Sequence, residues 1–169
     1  MTTASKITLV RVLLIPVFMA FLILGYKWVA LGIFVVASLT DYVDGYIARR
    51  HNQVTDFGKF MDPLADKLLV FAAMLYFVQE NRMAAWAVMI VLTREFAVSG
   101  LRMVAAGNGK VLAAGWSGKV KTFATMVGLC VMLAISNYWV DWAVTGVIAA
   151  TTLYSGFEYF IQNWKVIKP

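Results

Sequence analysis

Five of the chain's nine acidic residues lie between positions 41 and 66, and four of them follow helical spacing. Asp41 and Asp44 are three residues apart, and Asp62 and Asp66 are four apart, so each pair would share one face of a helix. Four carboxylates that face each other need protons or cations to compensate their charge. Because the chain has one His and one Cys, oxygen ligands dominate, which favours magnesium, manganese or calcium over zinc. The pattern predicts a site for two divalent metals, Mg²⁺ or Mn²⁺.

Small residues continue the same two helical stripes. Gly45 and Ala48 follow the first aspartate at i+4 and i+7, and Gly58 begins the second stripe. Taken alone, such residues are also typical of a helix-packing face, and two aspartates alone could mark a solvated helix end. Aspartates on two adjacent helices of a membrane protein favour a functional site, because packing alone does not require them.

The joint spacing D-x2-D-G-x2-A-R-x8-G-x3-D-x3-D resembles the signature of the CDP-alcohol phosphotransferase family. Every specified position is filled, by Asp41, Asp44, Gly45, Ala48, Arg49, Gly58, Asp62 and Asp66. The segments 7–16, 94–102 and 118–122 also look like the phosphatidylglycerophosphate synthase branch of that family. The resemblance implies transfer of a phosphatidyl group from CDP-diacylglycerol to sn-glycerol 3-phosphate, with release of CMP. It also suggests a homodimer.

The resemblance implies a role for each residue of the motif. Asp66 would be the general base that accepts the proton of the acceptor hydroxyl, and Arg49 would bring positive charge to the phosphates. The small residues would let cytidine and pyrophosphate approach the helix backbones. The metal ligands would be Asp41, Asp44, Asp62 and Asp66. The contacts to CDP-diacylglycerol would be Asp44, Gly45, Ala48, Arg49 and Gly58.

The composition indicates an integral membrane protein. Of 169 residues, 62% are hydrophobic and 14% are charged, whereas about 25% of residues are charged in soluble domains. Apolar windows long enough to span a bilayer predict six helices, near 7–25, 28–48, 60–78, 84–104, 120–137 and 140–160. We expect one all-α transmembrane domain over residues 1–169. Pro63 predicts a kink or an irregular turn at Asp62 in the third helix, and 105–118 is expected to be a loop.

The distribution of Lys and Arg predicts the orientation in the cell membrane. If the amino terminus is cytoplasmic, Lys27 and Arg82 fall outside and the other thirteen fall inside, which is the usual bias. Both termini and the active site would then face the cytoplasm. Because the basic residues are interleaved with long apolar runs, the net charge of +6 reflects this orientation and predicts membrane lipids, not nucleic acid, as partners.

Four cations are predicted to bind the phosphate of the acceptor. Arg94 and Arg102 lie in the fourth helix, and Lys119 and Lys121 open the fifth. Charge inside a membrane helix indicates function, and a surplus of cations favours an anionic acceptor. A structural network between Arg94 and Glu95, or lipid anchoring by the two lysines, remains an alternative. Inositol phosphate also remains open as an acceptor.

Two other classes of protein could share some of these features. A divalent-cation transporter would also place aspartates in membrane helices, but it needs a polar path to both faces of the bilayer. The outer halves of the predicted helices are expected to lack a polar stripe that could continue such a path. A structural scaffold would need no aspartate quartet. The motif therefore favours an enzyme.

Overall fold

The computed structural model describes the backbone of residues 3–51, 56–107, 112 and 115–164, and the side chains of 10, 12–40, 67–107, 112 and 115–164. Within these residues the chain forms six helices and no strand, which confirms the all-α prediction. Each helix begins and ends within four residues of its predicted bounds. The helices are α1 Thr3–Ile23, α2 Lys27–His51, α3 Asp56–Gln79, α4 Ala85–Gly107, α5 Trp116–Ala134 and α6 Tyr138–Gln162.

Two local predictions were wrong in part. The irregular turn expected at Asp62 is not found, since α3 continues as a helix through Pro63, whereas the kink expected as its alternative stays a prediction. Proline removes its own backbone donor, and the turns on either side keep theirs. The expected loop over 105–118 is helical at both ends, since α4 reaches Gly107 and α5 begins at Trp116. The glycines in that stretch had suggested a loop.

The helices α1 to α3 belong to one compact unit, residues 1–79 together with 133–135. In this unit α1 contacts both α2 and α3, and α2 contacts α3. The rings of Phe18 and Phe34 lie 5.8 Å apart between centroids and join α1 to α2. The buried side chains recur at helical spacing: Phe18 and Leu22 on α1, Ala30, Phe34 and Ala37 on α2, and Leu69, Ala73, Met74 and Phe77 on α3.

A tight turn connects α1 to α2. Gly25 adopts φ +83°, a left-handed conformation that glycine adopts without strain. The N–H of Gly25 donates to the carbonyl of Leu22 at 3.1 Å, and that of Tyr26 donates to Phe21 at 2.9 Å. This pair of bonds is the Schellman arrangement, which satisfies carbonyls at the end of a helix. It reverses the chain so that α2 can return beside α1.

The second unit comprises residues 80–132 and 136–169, and in it α4 contacts α6. The buried face of α4 is apolar, with Ala87, Val88, Val91, Val98, Leu101 and Ala105. The buried face of α6 is partly polar, with Asp141, Thr145, Ile148, Ala149, Thr152, Ser155 and Tyr159. A polar stripe therefore follows α6 into its first half, where none was expected.

By length and hydropathy, one helix within the described residues qualifies as a membrane span, Trp116–Ala134. The described side chains of α1, α2 and α3 are apolar over Val12–Ile23, Lys27–Thr40 and Lys67–Gln79. The sequence predicts six apolar windows, whereas one described helix qualifies as a span. Charged residues explain part of this difference, since α4 carries Arg94, Glu95 and Arg102. The six helices are 19 to 25 residues long, which corresponds to about 28–38 Å of helix.

Candidate active site

The four motif aspartates lie on two helices that contact each other. Asp41 and Asp44 are in the second half of α2, and Asp62 and Asp66 are in the first half of α3. Both stretches are helical, so the predicted spacing of three and four residues holds along the backbone. The other motif residues occupy the same helices: Gly45, Ala48 and Arg49 on α2, and Gly58 on α3. The side chains from 41 to 66 lie outside the described residues, and their contacts remain predictions.

The donor set of the motif suits a hard divalent cation. Its four acids offer only carboxylate oxygens, which are the ligands that magnesium and manganese prefer. Among the side chains that the structure describes, no group of three or more His, Cys, Asp or Glu residues is arranged to hold a metal. The chemistry of the motif therefore fits such an ion.

Two of the four predicted phosphate-binding cations meet at one carboxylate. Oε1 of Glu95 accepts from Nζ of Lys121 at 2.5 Å and from Nη1 of Arg94 at 3.0 Å. The three side chains are largely buried, with 6% of Lys121, 12% of Arg94 and 15% of Glu95 exposed. The cluster of these three residues, hereafter the Glu95 cluster, contains two cations and one anion. The proposed structural contact between Arg94 and Glu95 therefore exists, and it includes Lys121.

The other two predicted cations have different surroundings. Lys119 is exposed, and its Nζ lies 5.9 Å from the ring centroid of Trp116. Arg102 lies eight residues beyond Arg94, or about 12 Å along the axis of α4. Its Nε donates to the hydroxyl of Tyr159 at 3.1 Å, and its guanidinium carbon is 5.4 Å from the ring centroid of that tyrosine. The burial of Lys121 argues against lipid anchoring at that position, whereas the exposure of Lys119 fits it.

Sequence reasoning missed the residues of α6 that surround the predicted phosphate-binding cations. Ser155 accepts from Nη2 of Arg94 at 2.6 Å, and Tyr159 accepts from Arg102. Thr145, Thr152, Ser155 and Tyr159 recur at intervals of seven, three and four residues, which places them on one face of a helix. That periodicity was visible in the sequence, although it does not reveal which cation each residue contacts.

A further ion pair, also missed, joins three segments at the other end of this unit. Nε and Nη2 of Arg82 donate to Oδ2 and Oδ1 of Asp141, both at 2.8 Å, and Nη2 also donates to the carbonyl of Met132 at 2.7 Å. Asp141 is buried. The pair, hereafter the Arg82–Asp141 clamp, ties the segment before α4 to the end of α5 and the start of α6. A lone acid in an apolar stretch could have indicated such a partner.

Residues 1–155 match the sequence model of the CDP-alcohol phosphatidyltransferase family. The chain belongs to this family. The match confirms the resemblance that the eight motif residues carry, and it covers all of α1 to α5 and most of α6. The motif on α2 and α3 is thus related to the chemistry of this family, which is the conversion of a CDP-linked alcohol.

Three curated proteins are similar to this chain over nearly their whole length. A Bacillus subtilis (strain 168) protein is 43% identical over 97% of this chain and 96% of its own. Proteins of Escherichia coli (strain K12) and Salmonella paratyphi A are 42% identical over 92% of this chain and 91% of theirs. All three carry the name CDP-diacylglycerol--glycerol-3-phosphate 3-phosphatidyltransferase.

Proposed function

We propose that the protein transfers the phosphatidyl group of CDP-diacylglycerol to sn-glycerol 3-phosphate, giving phosphatidylglycerophosphate and CMP. The complete eight-residue motif and the family support the reaction type. The name shared by relatives at 42–43% identity supports the donor and the acceptor. The structural observation that carries the choice of an anionic acceptor is the Glu95 cluster, in which two largely buried cations share one carboxylate.

The reaction requires that the 1-hydroxyl of glycerol phosphate attack the phosphorus that bears diacylglycerol. A new phosphorus–oxygen bond forms there, the bond from that phosphorus to the bridging oxygen of CMP breaks, and the hydroxyl proton must be removed. Asp66 is the proposed base for that proton. The family generally uses divalent metal ions; two such ions, held by Asp41, Asp44, Asp62 and Asp66, would neutralise charge on the pyrophosphate.

Asp66 and Asp41 should differ in their effects if Asp66 is the base. Asp66→Asn keeps the size and one oxygen of the side chain but cannot take a proton, so it should lose most of kcat and still bind CDP-diacylglycerol. Asp41→Asn should weaken binding of metal and nucleotide together. An equally severe loss of nucleotide affinity in both variants would make Asp66 chiefly a metal ligand.

The Glu95 cluster is proposed to bind the acceptor's phosphate. Buried charges need partners, and two cations held close together in the cluster suit an anion. Arg94 adds a planar guanidinium, which recognises phosphate oxygens well. Arg102 and Lys119 are proposed to line the route to this cluster. Inositol phosphate would satisfy the same cations, and the named relatives are what favours glycerol phosphate.

We further propose a single transmembrane domain of six spans with both termini in the cytoplasm of the cell, assembled as a homodimer. The helices are long enough for a hydrocarbon layer of about 30 Å. Large apolar side chains are exposed along them, which water would disfavour. Exposed aromatic residues gather at the helix ends, as they do at membrane interfaces: Tyr26, Trp28, Trp86, Tyr138, Trp139 and Trp142 at one predicted face, and Trp116 and Trp164 at the other.

A divalent-cation transporter is the alternative from another class, and the polar stripe of α6 is the feature that could favour it. In the first half of α6, however, the polar groups already have partners. Asp141 is bound by Arg82, and the hydroxyl of Thr145 donates to the carbonyl of Asp141 at 2.7 Å. These groups stabilise the unit and do not offer a chain of open ligands.

The proposal is tested with purified protein, CDP-diacylglycerol and either glycerol phosphate or inositol phosphate, with and without a chelator. We expect CMP and phosphatidylglycerophosphate with glycerol phosphate and magnesium, and no turnover in chelator. Faster turnover with inositol phosphate than with glycerol phosphate would identify inositol phosphate as the acceptor. Metal uptake into vesicles without any CMP release would favour the transporter.

A further inference from the structure

Arg94 is enclosed by three helices. It begins on α4, and its guanidinium lies against Gly118 of α5 and Ser155 of α6, while Gly156 of α6 lies beside its aliphatic stem. Nη1 donates to Glu95 and Nη2 donates to Ser155, at 3.0 and 2.6 Å. Two bonds from different nitrogens of one planar fork fix both the position and the plane of the guanidinium.

The two glycines beside Arg94 are sites of close approach. A Cβ added at Gly156 would lie 3.3 Å from Cγ of Arg94, and one added at Gly118 would lie 3.3 Å from Nη2 of Arg94 and 3.9 Å from Oγ of Ser155. A methyl group at either position would therefore press on the stem or on the head of the arginine. Glycine is unfavourable inside a helix, so the space for Arg94 gives a reason for its presence at these two positions.

Two other helical glycines of the same unit lack this constraint. A Cβ added at Gly146 on α6, or at Gly100 on α4, would meet no atom within 4 Å. Thr151 on α6 likewise has a hydroxyl that serves its own helix, since it donates to the carbonyl of Val147 at 2.7 Å. These residues provide matched controls in the same helices.

We propose that Ser155, Gly118 and Gly156 are positioning residues that hold Arg94 in the orientation in which it binds the phosphate of the acceptor. They act through Arg94 and do not touch the substrate. The inference rests on the proposed function, because it assigns a mechanism of specificity to the Glu95 cluster. It predicts that helix α6, which carries no residue of the family motif, controls affinity for the acceptor.

The test compares Michaelis constants for the two substrates across single variants. Ser155→Ala, Gly118→Ala and Gly156→Ala should each raise the KM for glycerol 3-phosphate by about 10-fold, which is near the lower end of the roughly 10- to 150-fold expected from losing one charge-assisted hydrogen bond. The KM for CDP-diacylglycerol should change by less than about 2-fold, because Arg94 is proposed to bind the acceptor and not the donor. Thr151→Ala and Gly146→Ala should leave both constants unchanged.

A double variant separates positioning from a general structural role. In an Arg94→Gln background, Ser155→Ala should have no further effect on the KM for glycerol 3-phosphate, because residues that act through one another are not additive. A second increase of about 10-fold in that background would overturn the proposal, as would equal increases in both Michaelis constants. Thermal unfolding of each variant identifies any that fails to fold. The variants that do fold then decide the outcome.

Failure of this inference can be told apart from failure of the proposed function. If the unaltered protein releases CMP with glycerol phosphate and Arg94→Gln raises the acceptor KM, but Ser155→Ala, Gly118→Ala and Gly156→Ala do not, the positioning role alone is overturned. If the unaltered protein does not use glycerol phosphate, the proposed function and this inference both fall.

Discussion

Replacing Asp141 should strongly destabilise the unit that contains α4 and α6. Arg82 donates two hydrogen bonds of 2.8 Å to this carboxylate, whose side chain is 6% exposed. Each bond to a charged group is worth about 1.5–3 kcal/mol. Removing one partner of a buried ion pair costs about 3–5 kcal/mol, because the other charge stays buried. We expect the free energy of unfolding to fall by about 3 kcal/mol in Asp141→Asn and by about 5 kcal/mol in Asp141→Ala.

The assay is thermal unfolding in one detergent, with Glu80→Gln as the control. Glu80 is an exposed acid close to Arg82 in the chain, so its neutralisation should leave the unfolding temperature nearly unchanged. The double variant Arg82→Gln with Asp141→Asn should be more stable than the sum of its single variants predicts, with a coupling of about 0.5–3 kcal/mol. Well below the unfolding temperature, Asp141→Asn should keep both Michaelis constants, since the clamp contains no residue of the Glu95 cluster.

Two results would refute this reasoning. An unfolding temperature of Asp141→Asn equal to that of Glu80→Gln would mean that the ion pair contributes nothing to stability. Strict additivity in the double variant would mean that the two side chains act independently despite their contact. In either case the contact of the segment before α4 with the end of α5 and the start of α6 would have to depend on apolar packing.

The metal motif, the orientation and the phosphate-binding cations each lead to one further prediction. Asp44→Asn should reduce turnover by several orders of magnitude. A chelator should abolish turnover until magnesium or manganese is restored. Full activity in chelator would contradict the metal site. In a Cys130→Ser background, a cysteine introduced at Gly109 should react with an impermeant maleimide only from the cytoplasmic side, and one introduced at Asn81 only from outside. The reverse labelling pattern would show that the orientation is opposite to the proposed one. Lys121→Ala should raise the KM for glycerol phosphate by roughly 10- to 150-fold, whereas Lys119→Ala should change it little; equal effects would show that burial does not distinguish the two lysines.

The helices could be predicted from the sequence because apolar runs, and residues such as glycine that end a helix, are local features. Gly25 ended α1 near the expected position, and the bounds of all six helices were close. The motif on α2 and α3 was also predictable, since its information lies in residue type and spacing. The sequence places the start of α5 too late, because Gly118 is typical of a loop and its packing against Arg94 is not a local feature.

The contacts of α6 could not be predicted in the same way. Ser155 lies 61 residues from Arg94, and Asp141 lies 59 residues from Arg82. Sequence periodicity shows that such residues share a face, but the choice of partner depends on how distant helices pack. For the same reason the four predicted cations looked equivalent in the sequence, whereas burial separates Lys121 from Lys119.

The connection between α5 and α6 has a consequence for how the protein enters a bilayer. Three residues separate the two helices, and Oδ1 of the last, Asn137, accepts from the N–H groups of Trp139 and Val140 at 3.0 and 3.4 Å. Unpaired amides at the start of a helix are costly to bring through hydrocarbon. Because the cap satisfies two of them within the turn itself, α5 and α6, if both span the bilayer as proposed, could insert together as a hairpin during translation. The last two helices would then reach the membrane in a single step after the first four.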